Sequence, residues 1–256
     1  MMIIDCHCHA GKGDGFTGPW DTSAPLERYL ARARKAGIDR TVVFSAFHSD
    51  YSIGNGLVAE VVAQYPDRLW GFAFVDPARD KGRVRELVQR AVMRYGFRGL
   101  KVHQHDGRIT REVCDVAREF RLPLLYDVMG EVATVDLVAA EYPEVNFIIP
   151  HLGSFGDDYR AQVAFVDKLV RIPNVYTDTS GVRRFDLLEE AVVRTGARKV
   201  LFGSDGPWLH PAVELSKIYA LELSPEDERR ILGGNLLRLL RPVAARQRPV
   251  AGLRAM

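Results

Sequence analysis

Eight short apolar runs alternate with eight amphipathic segments along this chain, and few architectures accommodate that pattern. The runs span Ile3–His9, Thr41–Phe47, Leu69–Val75, Gly99–His103, Pro123–Met129, Asn146–Leu152, Val175–Ser180 and Val200–Asp205. Runs of this length rich in Val, Ile, Leu and Phe are what buried parallel strands require. The intervening segments carry helix punctuation. The segment from Leu26 opens after Ser23 and closes at Gly37, others stop at Gly96, Pro123, Pro143 and Gly196, and Ser224-Pro225 opens another. Strict strand–helix alternation implies parallel pairing through right-handed crossovers. Eight repeats in 256 residues favour a closed (β/α)8 barrel, for which roughly 250 residues is typical, over an open doubly wound sheet. No linker divides the chain. The expectation is one barrel domain over 1–246, with 247–256 a frayed tail.

The polar residues fall where such a barrel keeps its chemistry. Asp5, His7 and His9 close the first run, Lys101 and His103 the fourth, Asp127 the fifth, His151 the sixth and Asp205 the eighth. These are C-terminal strand ends, the rim that carries barrel active sites. In Asp5-Cys6-His7-Cys8-His9, strand alternation puts Asp5, His7 and His9 on one face and both cysteines on the other. Two imidazoles at i and i+2 on one face can hold a metal ion through neutral ring nitrogens. A zinc finger would need a second ligand pair at finger spacing, and the chain has none. Asp205 ends an apolar run amid Gly203, Ser204, Gly206 and Pro207, which presents a carboxylate able to bind a metal and take a proton from water. His151 follows four buried-type residues and suits acid–base work or carbonyl polarisation. Its alternative is a histidine satisfied inside the core.

Composition excludes several function classes. Net charge is +2, with 27% charged residues and no long run of one sign, so neither a nucleic-acid groove nor a polybasic membrane segment is expected. The start lacks a basic region followed by an apolar stretch. Cys6, Cys8 and Cys114 cannot all pair, and free thiols in a reducing cytoplasm are expected.

These residues resemble the amidohydrolase superfamily, in its amidohydrolase 2 branch of metal-dependent hydrolases and decarboxylases. The resemblance spans the start at 3–9, Gly96–His103, His151-Leu152-Gly153, Asn174–Gly181, Leu201–Asp205 and Ile231–Asn235. It implies a divalent metal, zinc first and manganese second, held by His7, His9 and Asp205, with His151 beside it. This branch places a further metal-binding histidine at the end of strand five, where this chain has Asp127. Either Asp127 replaces that ligand, or His103 or His151 fills the gap, or the metal is weak or absent. Lys101 sits near the position of the carboxylated lysine of binuclear relatives. It could instead anchor an anionic substrate, or pair inside the barrel. His103 shares its face and is a substrate contact, and Arg183 after strand seven could grip a carboxylate. Homodimers are typical of the family.

The expected function is hydrolysis of a small amide, lactone or ester by metal-activated water, with Asp205 as general base and His151 polarising the carbonyl. The rival is non-oxidative decarboxylation of an aromatic or unsaturated acid. A barrel without catalysis, serving to bind a partner, is the third reading, motivated by Asp127.

Overall fold

In the computed structural model, residues 1–17 and 22–244 are described, with side chains as far as 241. The segment 247–256, expected as a tail, lies outside them. Eight strand positions form the barrel wall: β1 (Ile4–Lys12), β3 (Arg40–Ser45), the pair β4 (Leu69–Gly71) and β5 (Ala73–Phe74), β6 (Leu100–His103), β7 (Leu124–Asp127), β8 (Phe147–Ile149), β9 (Val175–Asp178) and β10 (Val200–Leu201). All pair in parallel with their neighbours. β4 and β5 are one strand broken at Phe72: its first half pairs with β3 and its second with β6. The Asn55 side chain mends the break, donating to the Phe74 carbonyl (2.9 Å) and accepting from the Phe74 N–H (2.8 Å). The ring closes because the Cys6 N–H donates to Phe202 O (3.0 Å) and the His9 N–H to Gly206 O (2.6 Å), joining the first strand to the last.

Helices α1 (Leu26–Lys35), α2 (Tyr51–Gln64), α3 (Val84–Tyr95), α4 (Arg111–Phe120), α5 (Ala133–Glu141), α6 (Tyr159–Arg171), α7 (Phe185–Thr195) and α8 (Pro211–Ala220) each follow a strand. A short α9 (Pro225–Arg229) and a further α10 (Asn235–Ala244) complete the chain. Two apolar cores result. One lies between strands and helices. The other fills the barrel with Ile4, Phe44, Trp70, Phe74, Leu125, Ile148, Tyr176 and Leu201, joined by Leu236, Leu239 and Leu240 of α10. Because α10 packs on residues from strand starts, it covers the end of the barrel opposite the expected site.

Two expectations change. β1 continues three residues past His9, where the first apolar run ends, and pairs antiparallel with β2 (Ser23–Ala24). α2 begins at Tyr51, where Asp50 caps it by accepting from the Ser52 N–H. The register of β1 against β3 slips between Asp5 and Cys8. Alternation is lost there, so Cys6 joins the barrel interior while Asp5 turns toward Tyr29 of α1. Asp5 therefore does not share the face of His7 and His9. No helix among the described residues is long and apolar enough to cross a membrane.

Candidate active site

Asp5 is buried and works as a clasp. One carboxylate oxygen accepts from the backbone N–H groups of His7 (3.0 Å) and Ser204 (2.9 Å), the other from the hydroxyls of Tyr29 (2.6 Å) and Ser204. It thereby ties the first strand to the segment that presents Asp205. Gly203 keeps this junction close, since a Cβ there would lie 3.0 Å from Asp178 Cγ and 3.1 Å from His7 Cβ, tighter than ordinary contact.

Above the clasp, His7 and His9 face the barrel mouth and both are buried. His7 Nδ1 is 2.8 Å from Asp178 Oδ2, and His9 Nδ1 is 2.9 Å from the Ser45 carbonyl oxygen. A carbonyl and an ionised carboxylate only accept, so each Nδ1 carries the ring hydrogen and each Nε2 offers its lone pair. Those two Nε2 atoms lie 3.5 and 3.8 Å from Asp205 Oδ1. Burial, reinforced by the Lys101 cation, holds both imidazoles below the ordinary histidine range, and for His7 this outweighs Asp178. Neutral imidazole is the ligand form. The ligand atoms of His7, His9 and Asp205 all lie within 4.8 Å of one another, the one such group among the described residues. Two neutral imidazoles and a carboxylate suit zinc or manganese, so the donor set fits the metal that the resemblance implies.

Asp127 is not brought into that group. It lines the same cavity, but its Oδ2 lies 3.3 Å from His103 Nε2 and 3.4 Å from His151 Nε2, and its Oδ1 accepts from the Met129 N–H (2.8 Å). Burial would raise this carboxyl, yet His103 and His151 hold it well below the usual carboxylate range. His151 is equally fixed. It stands in a left-handed turn with Leu152 and Gly153, at φ of 60°, 53° and 88°, and its Nδ1 donates to Ser180 O (2.6 Å). Burial disfavours its charged form, but Asp127, Asp178 and Asp205 carry its pKa up to about 9.

Lys101 is wholly buried and lines the cavity, yet its Nζ has no hydrogen-bond partner among the described residues. The ammonium lies 5.0 Å from the Phe44 ring centroid. Burial lowers its pKa, only partly offset by Asp127, Asp205, Asp178 and Asp106. Phe47, Phe155, Met129, Trp208 and Leu209 supply the apolar walls of a cavity of about 460 Å³.

The structure thus gathers His7, His9, Lys101, His103, Asp127, His151 and Asp205 in one cavity. Arg183 is not gathered with them: its side chain is 72% exposed, pairs with Asp157 at 3.1 Å, and does not line the cavity. His210 also lies outside it and caps α8. Asp178 was missed by the sequence reading. Buried on β9, it accepts from Ser180 N–H (3.0 Å) and Oγ–H (2.6 Å) as well as from His7, which together with His151 keep it below the carboxylate range despite burial. Its parity with the inward Tyr176 was the available signal.

A mouth-of-barrel cavity with a three-residue metal-ligand group, an anchored histidine and a buried cation defines a metal-assisted barrel enzyme. Residues 4–241 match the model of the amidohydrolase family, in its amidohydrolase 2 branch, and the chain belongs to that family of metal-dependent enzymes. No curated protein sequence matches it significantly. Among solved structures, the chain is similar to 5-carboxyvanillate decarboxylase from Sphingomonas paucimobilis (15% identity, TM-score 0.74, covering 94% of this chain and 99% of that one). It is also similar to a probable 2-pyrone-4,6-dicarboxylic acid hydrolase from Acinetobacter baumannii (16% identity, TM-score 0.75, 94% and 100%). A third is a dihydroxybenzoic acid decarboxylase from Polaromonas with bound manganese (18% identity, TM-score 0.67, 94% and 97%). At these identities the likeness is one of fold.

Proposed function

We propose that the protein hydrolyses a small carbonyl compound (an amide, lactone or ester) that carries a carboxylate, using one divalent metal ion, zinc before manganese. The observation that carries this reading is the convergence of His7 Nε2, His9 Nε2 and Asp205 Oδ1 within 4.8 Å, both imidazoles being held in the ligand tautomer by Asp178 and Ser45. A bound divalent ion supplies Lewis acidity, lowering the pKa of a water and polarising a carbonyl. Asp205, at the cavity wall, accepts the proton of the attacking water and returns it to the leaving group. His151 sets its imidazole beside the oxygen that gains charge, its ring held still by the Ser180 carbonyl at Nδ1 and by Asp127 at Nε2. Lys101 receives the substrate carboxylate, the partner its buried ammonium lacks.

Decarboxylation is the second reading, favoured by the rings of Phe47, Phe155 and Trp208, whose faces suit a flat aromatic or unsaturated acid. One panel separates the two. Metal-loaded protein is given carboxylate-bearing esters, lactones and amides with acid release followed at constant pH, and hydroxybenzoates with carbon dioxide followed. Release of acid that disappears in Asp205→Asn supports hydrolysis. Carbon dioxide without ester, lactone or amide cleavage replaces it with decarboxylation, and silence on both arms sinks the enzymatic reading.

A further inference from the structure

We propose that Asp127 is a positioning residue and not a metal ligand: it is the shared acceptor of a His103–Asp127–His151 relay that aims His151 into the cavity. The inference rests on reading His7, His9 and Asp205 as the metal set.

The relay follows from strand register. His103 and Asp127 are direct partners across the parallel pair β6–β7, and both point inward, so the ladder itself sets imidazole beside carboxylate. The ring hydrogens can be assigned from their surroundings. His103 Nδ1 accepts from the His105 N–H (3.1 Å), which leaves the hydrogen of the neutral ring on Nε2, directed at Asp127 Oδ2. His151 carries hydrogen on Nδ1, because the Ser180 carbonyl there can only accept, and its Nε2 edge meets the same Oδ2. The second carboxylate oxygen is taken by the Met129 N–H. Asp127 therefore has both oxygens engaged within the protein, and its ligand atoms fall outside the group that His7, His9 and Asp205 form. Recruiting it to an ion at that group would require both imidazoles to give up their acceptor. Family members are expected to have a ligating histidine at this position; in this chain the carboxylate holds two imidazoles in place of binding metal.

The test uses cobalt-substituted full-length protein, whose d–d absorption reports the ligand set, together with 15N signals of the histidine rings. In Asp127→Asn and Asp127→Ala we expect one cobalt per chain and unchanged band positions, with an affinity loss smaller than the roughly 10-fold typical even of an outer-shell contact. His9→Ala, which removes a ligand, shifts or abolishes the bands. In Asp127→Ala the ring signals of His103 and His151 move together, and His103→Gln moves those of His151 while the cobalt bands hold. Bands that shift in the Asp127 variants as they do in His9→Ala overturn the proposal, and so do ring signals of both histidines that stay in place. Should Asp127→Ala not fold, the isosteric Asp127→Asn, with His103→Gln, carries both readouts. Wild-type protein that takes up no cobalt defeats the metal reading of the preceding section, and the ring signals of the metal-free protein then decide the relay on their own.

Discussion

Lys101→Met should stabilise the fold while removing the anion site. The lysine is wholly buried, its Nζ has no hydrogen-bond partner among the described residues, and Met preserves the length of its stem. A buried polar group left unpaired costs about 1–3 kcal/mol, and more when charged. Against this stand the Phe44 ring at 5.0 Å, worth roughly 0.5–2 kcal/mol as a cation–π contact, and the carboxylates of Asp127, Asp205 and Asp178. The balance can be read from the direction in which the lysine titrates. Its pKa is lowered, so burial outweighs every neighbouring carboxylate and the surroundings as a whole disfavour the cation. Setting the unpaired-group cost against the ring contact leaves a net gain from Met on the order of 1 kcal/mol, which at this chain length raises Tm by roughly 2–4 °C. The assay is urea unfolding at neutral pH on metal-stripped protein, so that metal binding does not enter the stability. A carboxylate-bearing ligand should lose affinity for the variant, while its neutral amide analogue should not. A variant less stable than wild type by 1 kcal/mol or more would refute the reasoning, because the ammonium would then have a structural partner.

Three further outcomes follow from the geometry. Asp178→Asn removes the anionic acceptor that holds His7 in its ligand tautomer, and metal affinity should fall roughly 10–100-fold in a chelator competition titration; a change below about threefold contradicts that role. Gly153→Ala combines φ of +88° with a Cβ placed 2.7 Å from Val132 Cγ1 and 2.9 Å from Phe165 Cβ. It should cost about 2–4 kcal/mol in urea unfolding, and a neutral result would mean the turn is free to shift. The Asp106 carboxyl, pushed up to about 6 by burial despite the Tyr51 hydroxyl bonded to it, stays protonated in the folded state where the unfolded chain is ionised. The contribution of Asp106 to stability should consequently be lost as pH rises from about 4 to about 6, and Asp106→Asn should make the stability curve flatter than wild type over that range.

The barrel was legible because its determinants are local. Each strand is a short apolar run with its own stop signal, and the inward side chains follow a period of two that needs no knowledge of the neighbours. β6, β7 and β9 obey it throughout, so Lys101, His103 and Asp127 could be assigned to the mouth from parity alone. The rule fails where pairing overrides it. The register slip of β1 against β3 is a property of two strands 36 residues apart, and nothing within Asp5–His9 announces that Asp5 will turn to Tyr29 and Ser204. The start of α2 is hidden for a similar reason: its first turns, with Gly54, Asn55 and Gly56, look like loop until Asn55 is seen to mend the broken strand.

The site divides along the same line. Residue types announce what can bind a metal, but which residues bind it depends on where the remaining ring nitrogens find acceptors. Asp178 shows this from one side: it touches no cavity wall, yet through His7 Nδ1 it decides which nitrogen faces Asp205. Asp127 shows it from the other, a carboxylate of the right type at the right strand end whose oxygens are already engaged by His103, His151 and the Met129 N–H. Arg183 has the right charge on the right loop, yet its side chain is exposed, pairs with exposed Asp157 and does not line the mouth. In each case the deciding atom lies on a different strand or loop from the residue it governs, so the ligand set of a barrel mouth is a property of the closed ring of strands and not of any one motif.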